Sequence, residues 1–121
     1  MKLTAKDLRI GNWVQNQFGT PYQVTASVIL EFSNFGVKDE PIPLTEEWLL
    51  RFGFKGRNDF KWNQKIGIQI KDGNYYFAFK DLGNVLFHSV VECKHIHSLQ
   101  NLYYALTGEE LTLNQTTWKK N

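Results

Sequence analysis

Apolar and polar residues alternate through an early stretch of the chain. Tyr22, Val24, Ala26, Val28, Leu30 and Phe32 take one phase, and Gln23, Thr25, Ser27, Ile29, Glu31 and Ser33 take the other. A period of two puts each set on its own face of a strand, so the pattern predicts a long half-buried strand over 22–33. A shorter strand is predicted over Gly11-Asn12-Trp13-Val14-Gln15, with a turn at Gln17-Phe18-Gly19-Thr20-Pro21 between the two. Ahead of both, Thr4 and Asp7 predict one capped helical turn ending near Arg9.

The pattern then changes. Residues 34–43 hold two prolines and three charges, which predicts a turn and at most a short edge strand. Thr45 predicts a helix start, with Glu46 and Glu47 in the first turn where they suit the helix dipole. Trp48, Leu49 and Phe52 supply the apolar stripe, and Gly53 ends a helix over 45–52.

Next come Ile66-Gly67-Ile68-Gln69-Ile70 and Tyr75-Tyr76-Phe77-Ala78-Phe79 around Asp72-Gly73, a strong hairpin signal. The register it implies sets Ile70 against Tyr75, Ile68 against Phe77 and Ile66 against Phe79. The other face, with Gly67, Gln69, Lys71, Tyr76, Ala78 and Lys80, reads as wet. A further strand is predicted over 85–94, interrupted near His88-Ser89. A helix is predicted over 97–107, with Leu99, Leu102, Tyr103 and Leu106 at i, i+3, i+4 and i+7 and Gly108 as its stop. Residues 111–113 suit a short returning strand, and the polar tail 114–121 reads as frayed unless Trp118 anchors it.

These elements predict an α+β fold: a mostly antiparallel sheet, or an SH3-like partial barrel, with two short helices packed on it. The first hairpin, with Gly11-Asn12-Trp13-Val14 and Tyr22-Gln23-Val24, carries the barrel likeness, although such barrels bind RNA, DNA, peptides or nothing. Residues 1–113 are expected to form a single domain, with 114–121 as its tail.

Composition narrows the picture. In 121 residues there are nine Phe, five Tyr and four Trp, enough to fill a core without metal or disulfide. Fourteen basic against 12 acidic residues leave +2, far from the strong basic excess usual in nucleic-acid-binding domains. Cys93 is the single cysteine, so no intrachain disulfide can form. The first residues lack the apolar core of a signal peptide, and no apolar run approaches the length of a membrane span. The expected location is the cytoplasm.

Candidate chemistry is sparse. Cys93, His95 and His97 are spaced i, i+2, i+4, which would share one face of a strand. The usual second ligand pair is missing, and the helix expected at 97 turns His97 away, so no metal is assigned. His88 with Cys93 lacks an oriented base and an oxyanion site. Glu46/Glu47 and Glu109/Glu110 flank helices as solvated charges do. No P-loop, dinucleotide fingerprint or serine elbow occurs. The chain therefore reads as non-enzymatic, with no cofactor.

One segment stands out. Arg51, Lys55, Arg57, Lys61, Lys65 and Lys71 face a single acid, Asp59, in residues 51–71, and Phe52, Phe54, Phe60 and Trp62 are interleaved with them. Cations meet phosphates and aromatic faces stack on bases, so this mixture suits a nucleotide or a single strand. The bland alternative is a solvated charged loop around core aromatics. Gly56-Arg57-Asn58-Asp59 is the expected loop. Arg57, Lys61 and Lys65 become the candidate phosphate contacts, with Trp62 or Tyr76 as the stacking surface.

Three stretches together carry a likeness. They are Arg9-Ile10-Gly11-Asn12-Trp13-Val14, then 41–54 (PIPLTEEWLLRFGF) and 97–111 (HSLQNLYYALTGEEL). In order and spacing they resemble a family of small uncharacterised proteins common in phages and mobile elements of Bacteroidota. That family carries no established activity, so the resemblance transfers no functional residue. It implies an accessory protein that acts by binding, in the cytoplasm of a host cell. The leading expectation is an anti-defence protein that sequesters a nucleotide immune signal. The alternatives are a protein–protein inhibitor of a host defence factor and a nucleic-acid-binding module. Tyr103 and Tyr104 on one helix make a homodimer a further expectation.

Overall fold

The computed structural model describes residues 3–78, 80–81, 84–85 and 91–113. After a 3-10 turn at Ala5–Asp7 come β1 (Trp13–Gln15), β2 (Pro21–Gln23), α1 (Ala26–Phe35), β3 (Glu40–Pro41) and α2 (Glu46–Arg51). Then follow β4 (Lys55–Gly56), β5 (Phe60–Trp62), β6 (Gly67–Lys71), β7 (Asn74–Ala78), β8 (Lys80–Asp81), β9 (Asn84–Val85) and α3 (Ile96–Thr107). The fold is α+β. One sheet has order β2-β1-β3, a second β4-β5-β6-β7, and β8 and β9 form a two-stranded ladder; all the pairs are antiparallel. Among the described residues the strands do not close into a barrel, so of the two forms expected the mostly antiparallel sheet is met, as open sheets.

The helix count is corrected. The long strand expected over 22–33 ends at Gln23, and α1 takes over at Ala26. Thr25 stays extended and its hydroxyl accepts the Val28 N–H at 3.3 Å, an N-cap in mid-alternation. Val28, Ile29 and Phe32 then pack on Val14 and Val24. Ile29, the apolar misfit in the polar phase, packs inward on the helix, whereas Leu30 from the apolar phase is left exposed. Spacing of i, i+1, i+4 is helical, and it prevailed over the period of two.

Elsewhere the local signals are met. The Asp7 carboxylate accepts the Thr4 N–H at 2.9 Å, closing the first turn. Thr45 caps α2 through the Trp48 N–H at 3.3 Å, and Gly53 follows with φ +91. The hairpin of β6 and β7 has the expected register, Ile70 with Tyr75 and Ile68 with Phe77. Its turn holds Asp72 at φ 54 and Gly73 at φ 77, the left-handed pair that a two-residue loop needs. Phe79, residues 86–90 with His88-Ser89, and 114–121 with Trp118 lie outside the described residues. Residues 111–113 form no strand, although Leu111 is buried in the core.

Two cores result, and β1 lies between them. Trp13 packs on the larger cluster, built on Trp48, Leu49, Phe54, Ile68, Phe77 and Leu99, while Val14 belongs to the smaller one with Leu3, Leu8, Val24 and Phe32. Alternation along a strand three residues long serves both. Residues 91–96 connect the sheets. The Phe77 N–H donates to the Val91 carbonyl and the Cys93 N–H to the Tyr75 carbonyl. The Leu44 N–H donates to the Lys94 carbonyl and the Ile96 N–H to the Ile42 carbonyl, beside β3.

A buried polar network ties β1 to α3. Asn12 and Gln100 are both buried. Gln100 Oε1 accepts the Trp13 N–H at 2.8 Å and its Nε2 donates to the Gly11 carbonyl at 3.1 Å. Asn12 Nδ2 donates to Asn101 Oδ1 at 2.9 Å, and Arg9 forks onto Glu110 at 2.8 and 3.1 Å. Each buried amide is thereby satisfied, as burial demands. The stretch at 9–14 is thus bonded directly to that at 97–111, while Trp48 from the middle stretch lies 5.5 Å from Trp13.

Candidate ligand-binding cleft

The basic segment folds into β4, β5, the turn after β5 and the start of β6, and the period of two divides its residues. Lys61 is opposite Ile68 in the register and Ile68 is in the core, so Lys61 points inward with it. Phe60 and Trp62 point to the other face. Their rings lie 5.7 Å apart, and the Phe60 ring rests on Gly67, where a Cβ would come within 2.5 Å of it. Trp62 in turn lies over Gly56, where a Cβ would meet its ring at 2.6 Å. Glycine is needed at both places because the rings occupy the space of a side chain. The face expected to be wet is therefore partly covered: Gly67 is buried beneath Phe60.

Beside Trp62 opens a cleft of about 490 Å³, lined by Gly53, Lys55, Trp62, Asn63, Gln64, Lys65, Tyr103 and Glu109. Its size suits a small molecule. Asn63 fixes the floor: its Oδ1 accepts the N–H groups of Lys65 at 2.8 Å and Ile66 at 2.9 Å, and its Nδ2 donates to the Tyr103 hydroxyl at 3.2 Å. Lys65 Nζ lies 3.4 Å from Glu109 Oε2. The cleft thus holds two ammonium groups and one carboxylate, at the C-terminal end of α3 whose carbonyl ends are partly negative.

Of the five residues singled out from the sequence, the structure brings Trp62 and Lys65 to this cleft. Lys61 is withdrawn: its side chain is 5% exposed, its Nζ donates to the Arg57 carbonyl at 3.0 Å, and it pairs with Glu46 at 2.9 Å. It is corrected from a surface phosphate contact to a tie between β5 and α2. Arg57 is exposed and lies 3.4 Å from Asp59, away from the cleft lining. Tyr76 stands opposite Gln69, itself opposite Phe60, so it shares the outer face with Trp62 but lies two strands over and does not line the cleft. Lys55, Asn63 and Tyr103 were missed as contacts. Lys55 had a signal, since a strand pairing of Lys55 with Trp62 sets them side by side.

The other candidate groups are buried or paired. Tyr103 is in the core and reaches the cleft, and the Arg9 guanidinium lies over Tyr104 at 4.5 Å from the ring centre, leaving Tyr104 44% exposed. Burial, then the neighbouring Glu92 charge, pushes the Cys93 thiol up to about 11, which keeps it protonated and unreactive. His95 and His97 stack at 5.8 Å. Burial lowers both from the ordinary 6.5, helped at His97 by His95 and opposed there by Asp7. The buried Nδ1 of His97 has no hydrogen-bond partner. Among the described residues no three His, Cys, Asp or Glu side chains gather to hold a metal, and no helix is long and apolar enough to cross a membrane. Compared with protein-family models, with curated proteins and with solved structures, the chain finds no match.

Proposed function

We propose that the protein is a non-catalytic binder that captures a small nucleotide-like ligand in the cleft beside Trp62. The observation that carries the reading is that the Trp62 indole lines the same cleft as Lys55 and Lys65. A base stacks on Trp62, and one phosphate lies between Lys55 and Lys65, displacing the Glu109 carboxylate from Lys65. Base stacking on an aromatic ring is worth about 1–3 kcal/mol and needs no particular base. Phe60 behind Trp62 and the two glycines beneath the rings hold the platform in place before the ligand arrives, which lowers the ordering cost of binding.

The loss of Lys61 to Glu46 and the presence of Glu109 weigh against a continuous phosphate track for a long single strand. A compact ligand of low charge fits better. In the setting that the resemblance implies, that ligand is an immune nucleotide signal, held stoichiometrically in the host cytoplasm.

Thermal-shift titration tests the reading with cyclic dinucleotides, cyclic oligonucleotides, ADP-ribose derivatives and a short single-stranded DNA. A ligand that binds the folded state stabilises it with the logarithm of its concentration over Kd, by about 2.7 kcal/mol at a hundredfold excess over Kd, and raises Tm accordingly. Trp62→Ala should weaken that ligand by about 10- to 100-fold, and Lys55→Ala with Lys65→Ala should weaken it further. The short DNA shifting alone, with a steep salt dependence, would favour the nucleic-acid reading. No shift from any of them would overturn the proposal.

A further inference from the structure

Tyr103 belongs both to the larger core and to the wall of the cleft beside Trp62. It is 5% exposed, so packing holds its ring and only a small part of it reaches open space. Its hydroxyl meets Asn63, another residue of the lining, and the hydrogen bond between them has a fixed direction. An amide side chain can stand either way round, and its neighbours decide which. Asn63 Oδ1 accepts the backbone N–H groups of Lys65 at 2.8 Å and Ile66 at 2.9 Å. Turned over, its NH2 group would face two donors. Nδ2 therefore stands at the Tyr103 hydroxyl, 3.2 Å away, and an amide nitrogen only donates.

The hydroxyl oxygen accepts that bond, so its own hydrogen points elsewhere, and among the described residues nothing accepts it. Both lone pairs of Asn63 Oδ1 are engaged, so the two side chains offer the cleft donors. Asn63 holds the Lys65 backbone and the Tyr103 hydroxyl with one amide, which places the hydroxyl at the lysine end of the cleft. Glu109, two residues beyond α3, reaches Lys65 Nζ at 3.4 Å from the same helix end. Lys55 makes no ion pair among the described residues. Phosphate oxygens only accept, whereas the edge of a base mixes donors with acceptors. Donors from Lys55, Lys65 and Tyr103 match the phosphate.

We infer that the Tyr103 hydroxyl is the third phosphate contact of the cleft, donating to an oxygen of the phosphate that lies between Lys55 and Lys65. Asn63 is the residue that positions it. This role rests on the nucleotide reading above and adds to it which end of the ligand Tyr103 meets. The lysines are flexible point charges that follow a phosphate wherever it lies. The hydroxyl is held in the core before any ligand arrives, so it selects where a phosphate oxygen can sit.

Three probes divide the ligand: AMP, ribose 5-phosphate, which lacks the base, and adenosine, which lacks the phosphate. Each is titrated into the isotope-labelled full chain and followed by NMR, where the amide signals of Lys65 and Ile66 report on the Asn63 loop. Tyr103→Phe keeps the ring in the core and removes the hydroxyl alone. It should weaken AMP and ribose 5-phosphate by about 10-fold or more, as the loss of one hydrogen bond to a charged group does. Adenosine should bind both proteins alike, whereas a merely structural defect would weaken it as well. Trp62→Ala should do the reverse, weakening AMP and adenosine and sparing ribose 5-phosphate. AMP bound equally by wild type and Tyr103→Phe, but more weakly by Trp62→Ala, would overturn the inference and leave the nucleotide reading standing. So would a loss that fell on adenosine and spared ribose 5-phosphate, since Tyr103 would then meet the base. No binding of any probe to the wild type would overturn both.

Discussion

The Lys61 ammonium lies 2.9 Å from Glu46 Oε2 and 3.0 Å from the Arg57 carbonyl, with 5% of its side chain exposed. A lysine taken out of water this far needs its partner, because the charge cannot return to solvent without opening β5 from α2. Glu46 itself is about half exposed, so solvent screens the pair from that side. Glu46→Gln should therefore cost about 1–2 kcal/mol, below the figure for a fully buried pair. Glu47→Gln, which removes only the exposed contact with Arg51, should cost about 0.5 kcal/mol or less. Urea unfolding of the two variants side by side reads the difference, and equal costs would show that Lys61 gains nothing from Glu46. The inward turn of Lys61 was within reach of the sequence. The hairpin at Asp72-Gly73 places Ile68 in the core, and any strand pairing Lys61 with Ile68 carries Lys61 in with it. What the sequence lacked was the register of β5, whose link to β6 runs through the Asn63 loop with no two-residue turn to fix it.

Among the elements, α2, the β6–β7 hairpin and α3 were legible because a local signal and a tertiary need agree in each. Thr45 with two glutamates starts α2, Asp72-Gly73 turns the hairpin, and Gly108 at φ +76 closes α3. On α3 the inward face is shifted toward Ile96, Leu99, Gln100 and Tyr103, and Leu106 is exposed. Gln100 occupies an apolar-looking face because its amide satisfies the Trp13 N–H and the Gly11 carbonyl, a demand set by β1 from far away in the chain. The segment at α1 was misread for the opposite reason. Its alternation favours a strand, yet the Thr25 cap and the pocket over Val14 and Val24 favour a helix, and the second pair prevails. If the cap is part of that decision, Thr25→Ala should lower stability by about 1 kcal/mol. Far-ultraviolet circular dichroism and urea unfolding together check this, and an unchanged midpoint would leave packing alone to hold α1.

At the scale of the whole molecule, the region where His97 is buried decides how the protein meets acid. His97 is 2% exposed at the start of α3, beside His95, and its Nδ1 has no partner that protonation would serve. Burial holds both imidazoles below the ordinary 6.5, with the positive charge of Lys94 adding to the effect at His95 and the His95 ring adding to it at His97. Between that ordinary value and the lowered folded one, the unfolded chain binds more protons than the folded one. Stability from these groups is therefore complete above about pH 6.5, and it is lost as pH falls from there through the folded values. Asp7 works against the shift at His97, so the loss there is smaller than burial alone would give. Unfolding by urea at a series of pH values from 8 down toward 5 (roughly the range in which histidine titrates) should show a midpoint that is flat at first and then declines. In His97→Gln, which cannot titrate, the decline should be shallower even if the midpoint at pH 8 is also lower. The slope separates the titration from the packing change, because a structural defect displaces the whole curve while a lost proton site flattens it. Parallel curves for the two proteins would mean that His97 binds protons equally in the folded and the unfolded chain across this range, and that the acid sensitivity of the fold resides elsewhere.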